Sequence, residues 1–203
     1  MAKLYFRYGT VGSAKTLNLV AVAHNYRQQG KKIMLMKPEF DTRFGKQQIK
    51  SRAGLEVEAD VLIVDESSLE RLDYEGVSCI LVDEAQFLSA KVIEELRRVT
   101  HDWDIPVICY GLRTDFKSRL FEGSKRLLEL ADAIEEVKAT CHYCNRKSIL
   151  NLKFVDGRAV ADGPSVELGA EEKYLPACYR CYTETLSCIQ LKAHFMAQHK
   201  HSD

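Results

Sequence analysis

Eight residues near the start of the chain constrain the fold more than any other stretch: Gly9-Thr10-Val11-Gly12-Ser13-Ala14-Lys15-Thr16. They follow KLYFRY (3–8), which reads as a strand, and precede an apolar-periodic segment from Leu17 to Tyr26, which reads as a helix. A glycine-bearing turn from strand into helix, closed by Lys and Thr, fits the phosphate-loop pattern G-x-x-x-x-G-K-[ST] everywhere but at Ala14, which replaces the second Gly. The pattern is built for anions. Backbone N–H groups curl round phosphate oxygens, the Lys reaches the β- and γ-phosphates, the hydroxyl serves Mg²⁺, and the helix N-terminus adds its positive end. Residues 9–16 are therefore the expected ATP-binding loop, with Lys15 and Thr16 of the correct types.

The rest of the chain supplies the sheet such a loop requires. Lys32–Met36 is a strand candidate beyond Gly30. VLIV runs into Asp65–Glu66, and CILV runs into Asp83–Glu84; both runs are short and rich in branched residues, as buried parallel strands are. Ser89 is a plausible N-cap for a helix to Thr100 that places Val92, Ile93, Leu96 and Val99 on one face. PVICYGL (106–112) reads as a strand and Leu120–Leu130 as a helix. Strands alternating with helices predict a parallel α/β sheet. From Pro38 to Gly54 the chain is charged and polar with no clear period, which predicts a segment without regular structure, either a functional loop or partly disordered.

A chain of 203 residues corresponds to one domain and a small appendage. The texture changes after Thr140 to short strands and turns, giving an α/β domain over 1–139, a second module over 140–190 and a polar tail over 191–203. Apolar residues at 46% and charged residues at 29% belong to an ordinary globular protein. Lys plus Arg and Asp plus Glu are 29 each, so the basic footprint of a nucleic-acid binder is lacking. The apolar runs are far shorter than the ~20 residues of a membrane helix, and the N-terminus has no apolar h-region. A cytoplasmic protein without nucleic-acid or membrane partners is expected.

A phosphate loop needs an acid at a neighbouring strand end to hold the Mg²⁺ shell. Asp83 qualifies, with Glu84 placed to take a proton from an attacking hydroxyl. Asp65–Glu66 qualifies equally, since both pairs sit where α/β sites assemble. Cysteine spacing carries the second signal. Of seven cysteines, Cys79 and Cys109 lie in apolar runs and Cys188 in the tail, but Cys141/Cys144 and Cys178/Cys181 form two C-x-x-C pairs separated by 33 residues (145–177). Two such knuckles complete a closed, structural Cys₄ zinc site, whereas a redox role would need one pair in a thioredoxin-like context. His142, between the first pair, reads as a bystander. His194, His199 and His201 read as solvated.

Together these residues bring a family into view. LYFRYGTVGSAKT, FDTRFG, the SRAGL stretch, ILVDEAQFL, YGLRTDF, LFEGSK, the Cys141/Cys144 pair and LGAEEKYLPACYRCY occur in an order that resembles the type II thymidine kinases, from Leu4 to about Tyr182. The resemblance implies a P-loop α/β domain with a zinc-anchored lasso, and transfer of the γ-phosphoryl of ATP to the 5′-hydroxyl of thymidine or deoxyuridine. It places the general base on Glu84, Mg²⁺ on Asp83 with Thr16 and Asp41, and Gln86 beside the nucleotide, which selects Asp83–Glu84 over Asp65–Glu66. It implies a nucleoside pocket of Arg43, Phe87, Leu112, Phe116 and Phe121. The lasso would span roughly 166–174, with Val166, Leu168, Gly169 and Tyr174 at the base. A homotetramer is implied as well.

The chain departs from the family pattern at Ala14, at Val11 where Met is common, at Ala170 and Glu171 in the lasso, and at Tyr179 where Arg is usual. Ala14 motivates a rival reading, a kinase-derived nucleotide binder without catalysis; retained Lys15, Thr16 and Glu84 oppose it. A second rival, a P-loop ATPase whose zinc module docks a macromolecule, would need a basic stripe. Loss of zinc is expected to harm the nucleoside side before ATP binding.

Overall fold

The structure, a computed structural model, describes residues 1–64, 69–165 and 174–187. Its centre is a six-stranded, all-parallel sheet built from β1 (Leu4–Tyr8), β2 (Lys32–Pro38), β5 (Val61–Ile63), β6 (Val77–Val82), β7 (Val107–Gly111) and β8 (Ala133–Glu136), in the order β5-β2-β6-β7-β1-β8. Helices α1 (Lys15–Gln28), α2 (Ala90–Asp102) and α3 (Glu122–Leu130) cover its faces. Side chains of a strand alternate between faces, so a central strand covered on both sides is apolar throughout. Ile33 and Leu35 of β2, Cys79 and Leu81 of β6, and Ile108 and Tyr110 of β7 pack with Leu19, Val20 and Ala23 of α1. Met34, Met36, Ile80, Val82, Val107 and Cys109 face the other way, against Val92, Ile93, Leu96 and Val99 of α2 and Leu127 of α3. The expected helix and strand order is present, and Ser89 caps α2 by accepting the Val92 N–H at 3.4 Å.

One expectation is corrected. The polar stretch after Pro38 contains half of an antiparallel hairpin, β3 (Gln48–Lys50) paired with β4 (Glu56–Glu58), with Ile49 buried beneath it. The strands are three residues long with a single apolar residue each, Ile49 and Val57, too short an alternation to read.

The C-terminal part has its own sheet, β10 (Arg158–Val160), β9 (Leu150–Val155) and β11 (Tyr174–Ala177), antiparallel in the order β10-β9-β11, followed by helix α4 over 179–187. Its small core joins Leu150, Leu152, Ala159, Ala177 and Tyr182 to Cys141 and Cys178. Among the described residues no helix is long and apolar enough to cross a membrane.

Candidate active site

Parallel strands deliver their C-terminal ends to one edge of the sheet, where α/β sites assemble. Here β1 runs into the loop 9–14, β2 into Asp41, β6 into Asp83–Glu84 and β7 into Leu112. They converge on a cavity of about 440 Å³.

The loop has the curled backbone its sequence requires. Gly12 has φ 77° and Ala14 φ 64°, both in the left-handed region. Gly9 is needed for a different reason, because a Cβ there would lie 2.3 Å from Ser13 Oγ and 2.5 Å from the Val137 carbonyl. Lys15 Nζ donates to the carbonyls of Gly9 and Thr10 at 3.2 and 2.9 Å, bending over the loop it follows. Ala14 stands at the N-cap of α1 and makes no side-chain cap hydrogen bond, so the positive end of the helix faces the loop with no capping side chain between them. Thr16 Oγ1 lies 3.5 and 3.4 Å from the two Asp83 oxygens, which brings the expected magnesium pair together. Burial first, and the neighbouring Glu84 charge second, push the Asp83 carboxyl well above the usual range.

Glu84 is strained and tightly held. Its φ is 50°, in the left-handed region, and a 3-10 turn over Ala85–Phe87 follows. Gln86 Nε2 donates to Glu84 Oε2 at 2.5 Å, and Gln86 Oε1 accepts the Leu112 N–H at 3.0 Å. Gly111 permits this approach, since a Cβ there would meet Gln86 Oε1 at 2.6 Å. Gln86 thus ties the Glu84 turn to the end of β7 and does not line the cavity, and neither do Gly9 and Thr10. Arg43 Nη2 pairs with Glu84 Oε1 at 2.8 Å. Burial raises the Glu84 pKa, but the charge and hydrogen bond of Arg43, with Lys15 behind them, outweigh it and hold the carboxylate ionised below its ordinary value.

Asp41, expected at the magnesium site, is occupied otherwise. Arg43 Nε and Nη2 donate to its two oxygens at 2.6 and 3.0 Å. Lys37, only 1% exposed, reaches Asp41 Oδ2 at 3.5 Å and donates to the Gln48 carbonyl of the hairpin at 2.9 Å. Sequence reading missed this lysine because its strand was taken to end at Met36. Asp41 is drawn below its ordinary value by Arg43 and Lys37 in spite of burial.

The expected nucleoside residues Arg43, Phe87, Leu112, Phe116, Phe121 and Tyr174 all line the cavity. Phe87 stacks edge-on with Phe121 at 5.5 Å, and Phe116 and Tyr174 have ring centroids 6.5 Å apart. Thr114, Asp115, Asn151 and Ser165 line it too, without having been singled out in the sequence. Asp115 accepts from the Lys117 and Arg119 amides and from Ser165 Oγ. The hairpin overhangs the loop: a Cβ on Gly12 would lie 3.8 Å from the Arg52 guanidinium. Val166, Leu168 and Gly169 of the expected lasso, Asp65–Glu66, Cys188 and the three tail histidines lie outside the described residues.

Cys141, Cys144, Cys178 and Cys181 converge, their sulfurs all within 4.8 Å of one another. Cys144 Sγ is 3.7 Å from both Cys178 Sγ and Cys181 Sγ, far beyond a disulfide. Tetrahedral zinc with Zn–S bonds of about 2.3 Å separates its sulfurs by about 3.8 Å, so the donor set fits that ion. The Tyr143 N–H points at Cys141 Sγ (3.4 Å) and the Cys181 N–H at Cys178 Sγ (3.5 Å), as knuckles stabilising thiolates do.

Comparison with known proteins agrees with this geometry. The family described as Thymidine kinase matches residues 2–182. A thymidine kinase of Lactococcus lactis is 43% identical over 187 residues, covering 90% of this chain and 97% of its own length. One from Streptococcus gordonii is 44% identical over 184 residues, covering 90% and 96%. Among solved structures, the Pif1 helicase of Candida albicans aligns with 67% of this chain and 36% of its own at 10% identity and a TM-score of 0.42, a likeness too partial to bear on function.

Proposed function

The chain belongs to the thymidine kinase family, and from that premise we propose that it transfers the γ-phosphoryl group of ATP to the 5′-hydroxyl of thymidine, giving dTMP and ADP. The observation that carries the proposal is Glu84, paired with Arg43 and lining the cavity that also receives the phosphate loop. Glu84 accepts the proton of the attacking hydroxyl. Arg43, itself fixed by Asp41, holds the carboxylate in place. Lys15, the loop amides other than those of Val11 and Ser13, which bond Asn151 and the Thr10 carbonyl, and the N-terminus of α1 stabilise charge on the moving phosphoryl group. Thr16 and Asp83 would hold Mg²⁺, which when bound neutralises charge on the β- and γ-oxygens. We assign Asp41 to orienting Arg43. Phe87, Phe116, Phe121 and Tyr174 offer the nucleoside apolar faces, and Leu112 lines the same cavity.

The four cysteines hold a structural zinc ion in this reading, which is supported by their spacing and sulfur separations. A cytoplasmic homotetramer follows from the family resemblance. The kinase-derived binder is not favoured, since the residues that would move the proton and bind phosphate are present and converge.

Glu84→Gln tests the assignment, because it keeps size and removes the proton acceptor. Turnover should fall by about 10²- to 10⁴-fold with ATP binding little changed. Loss of ATP binding instead would place Glu84 in the metal site. Asp65→Asn should matter far less, and equal damage from both changes would refute the choice of Asp83–Glu84.

A further inference from the structure

The phosphate loop is gripped from outside its own sheet. Thr10 Oγ1 lies 2.8 Å from Ser148 Oγ, and Val11 donates its backbone N–H to Asn151 Oδ1 at 2.9 Å. Ser148 Oγ gives its one proton to the Ala139 carbonyl at 3.0 Å, so Thr10 is the donor in the first contact. Thr10, Ser148 and Asn151 are all buried. Both partners belong to the stretch that the cysteine cluster staples. The Ile149 N–H donates to the Ala177 carbonyl, beside Cys178, and Asn151 lies opposite Pro176 in the β9–β11 register.

We propose that Asn151 and Ser148 are positioning residues for the phosphate loop, so that the cysteine module organises the donor-nucleotide site as well as the acceptor side. This rests on reading residues 9–16 as the ATP loop. The physical basis is preorganisation. A loop whose successive N–H groups must face one anion binds it better when its backbone is already fixed. The brace fixes the two residues before Gly12, whose left-handed conformation starts the curl. Without it, Val11 N–H has lost a buried acceptor and the loop must be ordered at the moment of binding.

Hydrogen exchange on the full-length, metal-loaded protein reads this directly, together with calorimetric titration of ADP. Asn151→Leu, similar in shape but without the acceptor, should speed exchange in residues 9–14 and weaken ADP about tenfold, equivalent to about 1.4 kcal/mol. Ser148→Ala removes a single oxygen from a small side chain and remains informative if Asn151→Leu fails to fold. It should act in the same direction by a few-fold, and Ser148→Thr, which keeps the hydroxyl, should restore wild-type values. General destabilisation would not concentrate its effect in residues 9–14 or be rescued by the hydroxyl. Wild-type exchange and wild-type ADP affinity in the folded variants would overturn the brace. If ADP fails to slow exchange of residues 9–16 in the wild-type protein, the phosphate-loop reading itself falls.

Discussion

Ala14 is where this chain breaks its own loop pattern, and the structure turns that break into a quantity. Its φ of 64° and ψ of 23° are those of a left-handed residue, the conformation that glycine adopts freely. A residue with a Cβ there carries roughly 1–2 kcal/mol of strain. Ala14→Gly removes that strain but gives the unfolded chain more freedom, which returns about 0.5–1 kcal/mol. The net gain, counted from unfolded chain to ATP complex, therefore lies between about 0 and 1.5 kcal/mol. It divides between two observables. The part present in the free protein raises Tm by about 2–4 °C per kcal/mol for a chain of this size. The part realised on binding tightens ATP, by at most about tenfold, and raises kcat/KM for ATP with it. Denaturation and ATP titration of both proteins under the same conditions measure the sum. A net loss would refute the reasoning, because the loop could not then be holding Ala14 in a strained conformation.

Other perturbations test neighbouring parts of the site. Asp41 and Glu84 lie below their ordinary values of 3.8 and 4.5, because Arg43 outweighs burial at each. Groups depressed on folding stabilise the fold above their unfolded values and lose that contribution as pH falls through the folded ones. Arg43→Met leaves both carboxylates buried without their shared partner, so the fold should lose most stability near neutral pH and progressively less as pH falls and the carboxylates take up protons; denaturation followed by circular dichroism across pH measures this, and a loss that is the same at every pH counts against the network. Metal analysis should find one zinc per chain, and Cys144→Ser should lower that content and disorder the module; carefully purified protein without zinc would remove the claim. Because the module also braces the loop, chelation should weaken ADP and thymidine together, and not thymidine first as the sequence suggests.

The parts of the fold that were legible share a physical reason. β2, β6 and β7 are buried on both faces, so their sequences are continuous apolar runs, and α2 and α3 each show one apolar face to the sheet. β8 was not legible, since its Ala133-Ile134-Glu135-Glu136 lies at the sheet edge with much of its surface in solvent. The loop and the cysteine pairs could be read because their spacing is the chemistry: consecutive amides in one case, two knuckles in the other. Asp83–Glu84 could not be separated from Asp65–Glu66 by spacing, as both follow short branched runs, and only resemblance chose between them. Lys37, Ser148 and Asn151 were invisible for another reason. Each is an ordinary polar residue whose role lies in a tertiary contact, which for the last two reaches about 140 positions away. No local period encodes such a contact.

The central claim is phosphoryl transfer to a nucleoside hydroxyl, and product analysis tests it most directly. The purified protein is incubated with Mg²⁺-ATP and a panel of nucleosides, and the products are identified by mass. The account predicts ADP and dTMP formed in equal amounts when thymidine is present, with neither formed in its absence. ADP released without any nucleoside monophosphate, or no turnover with any nucleoside of the panel, would contradict it.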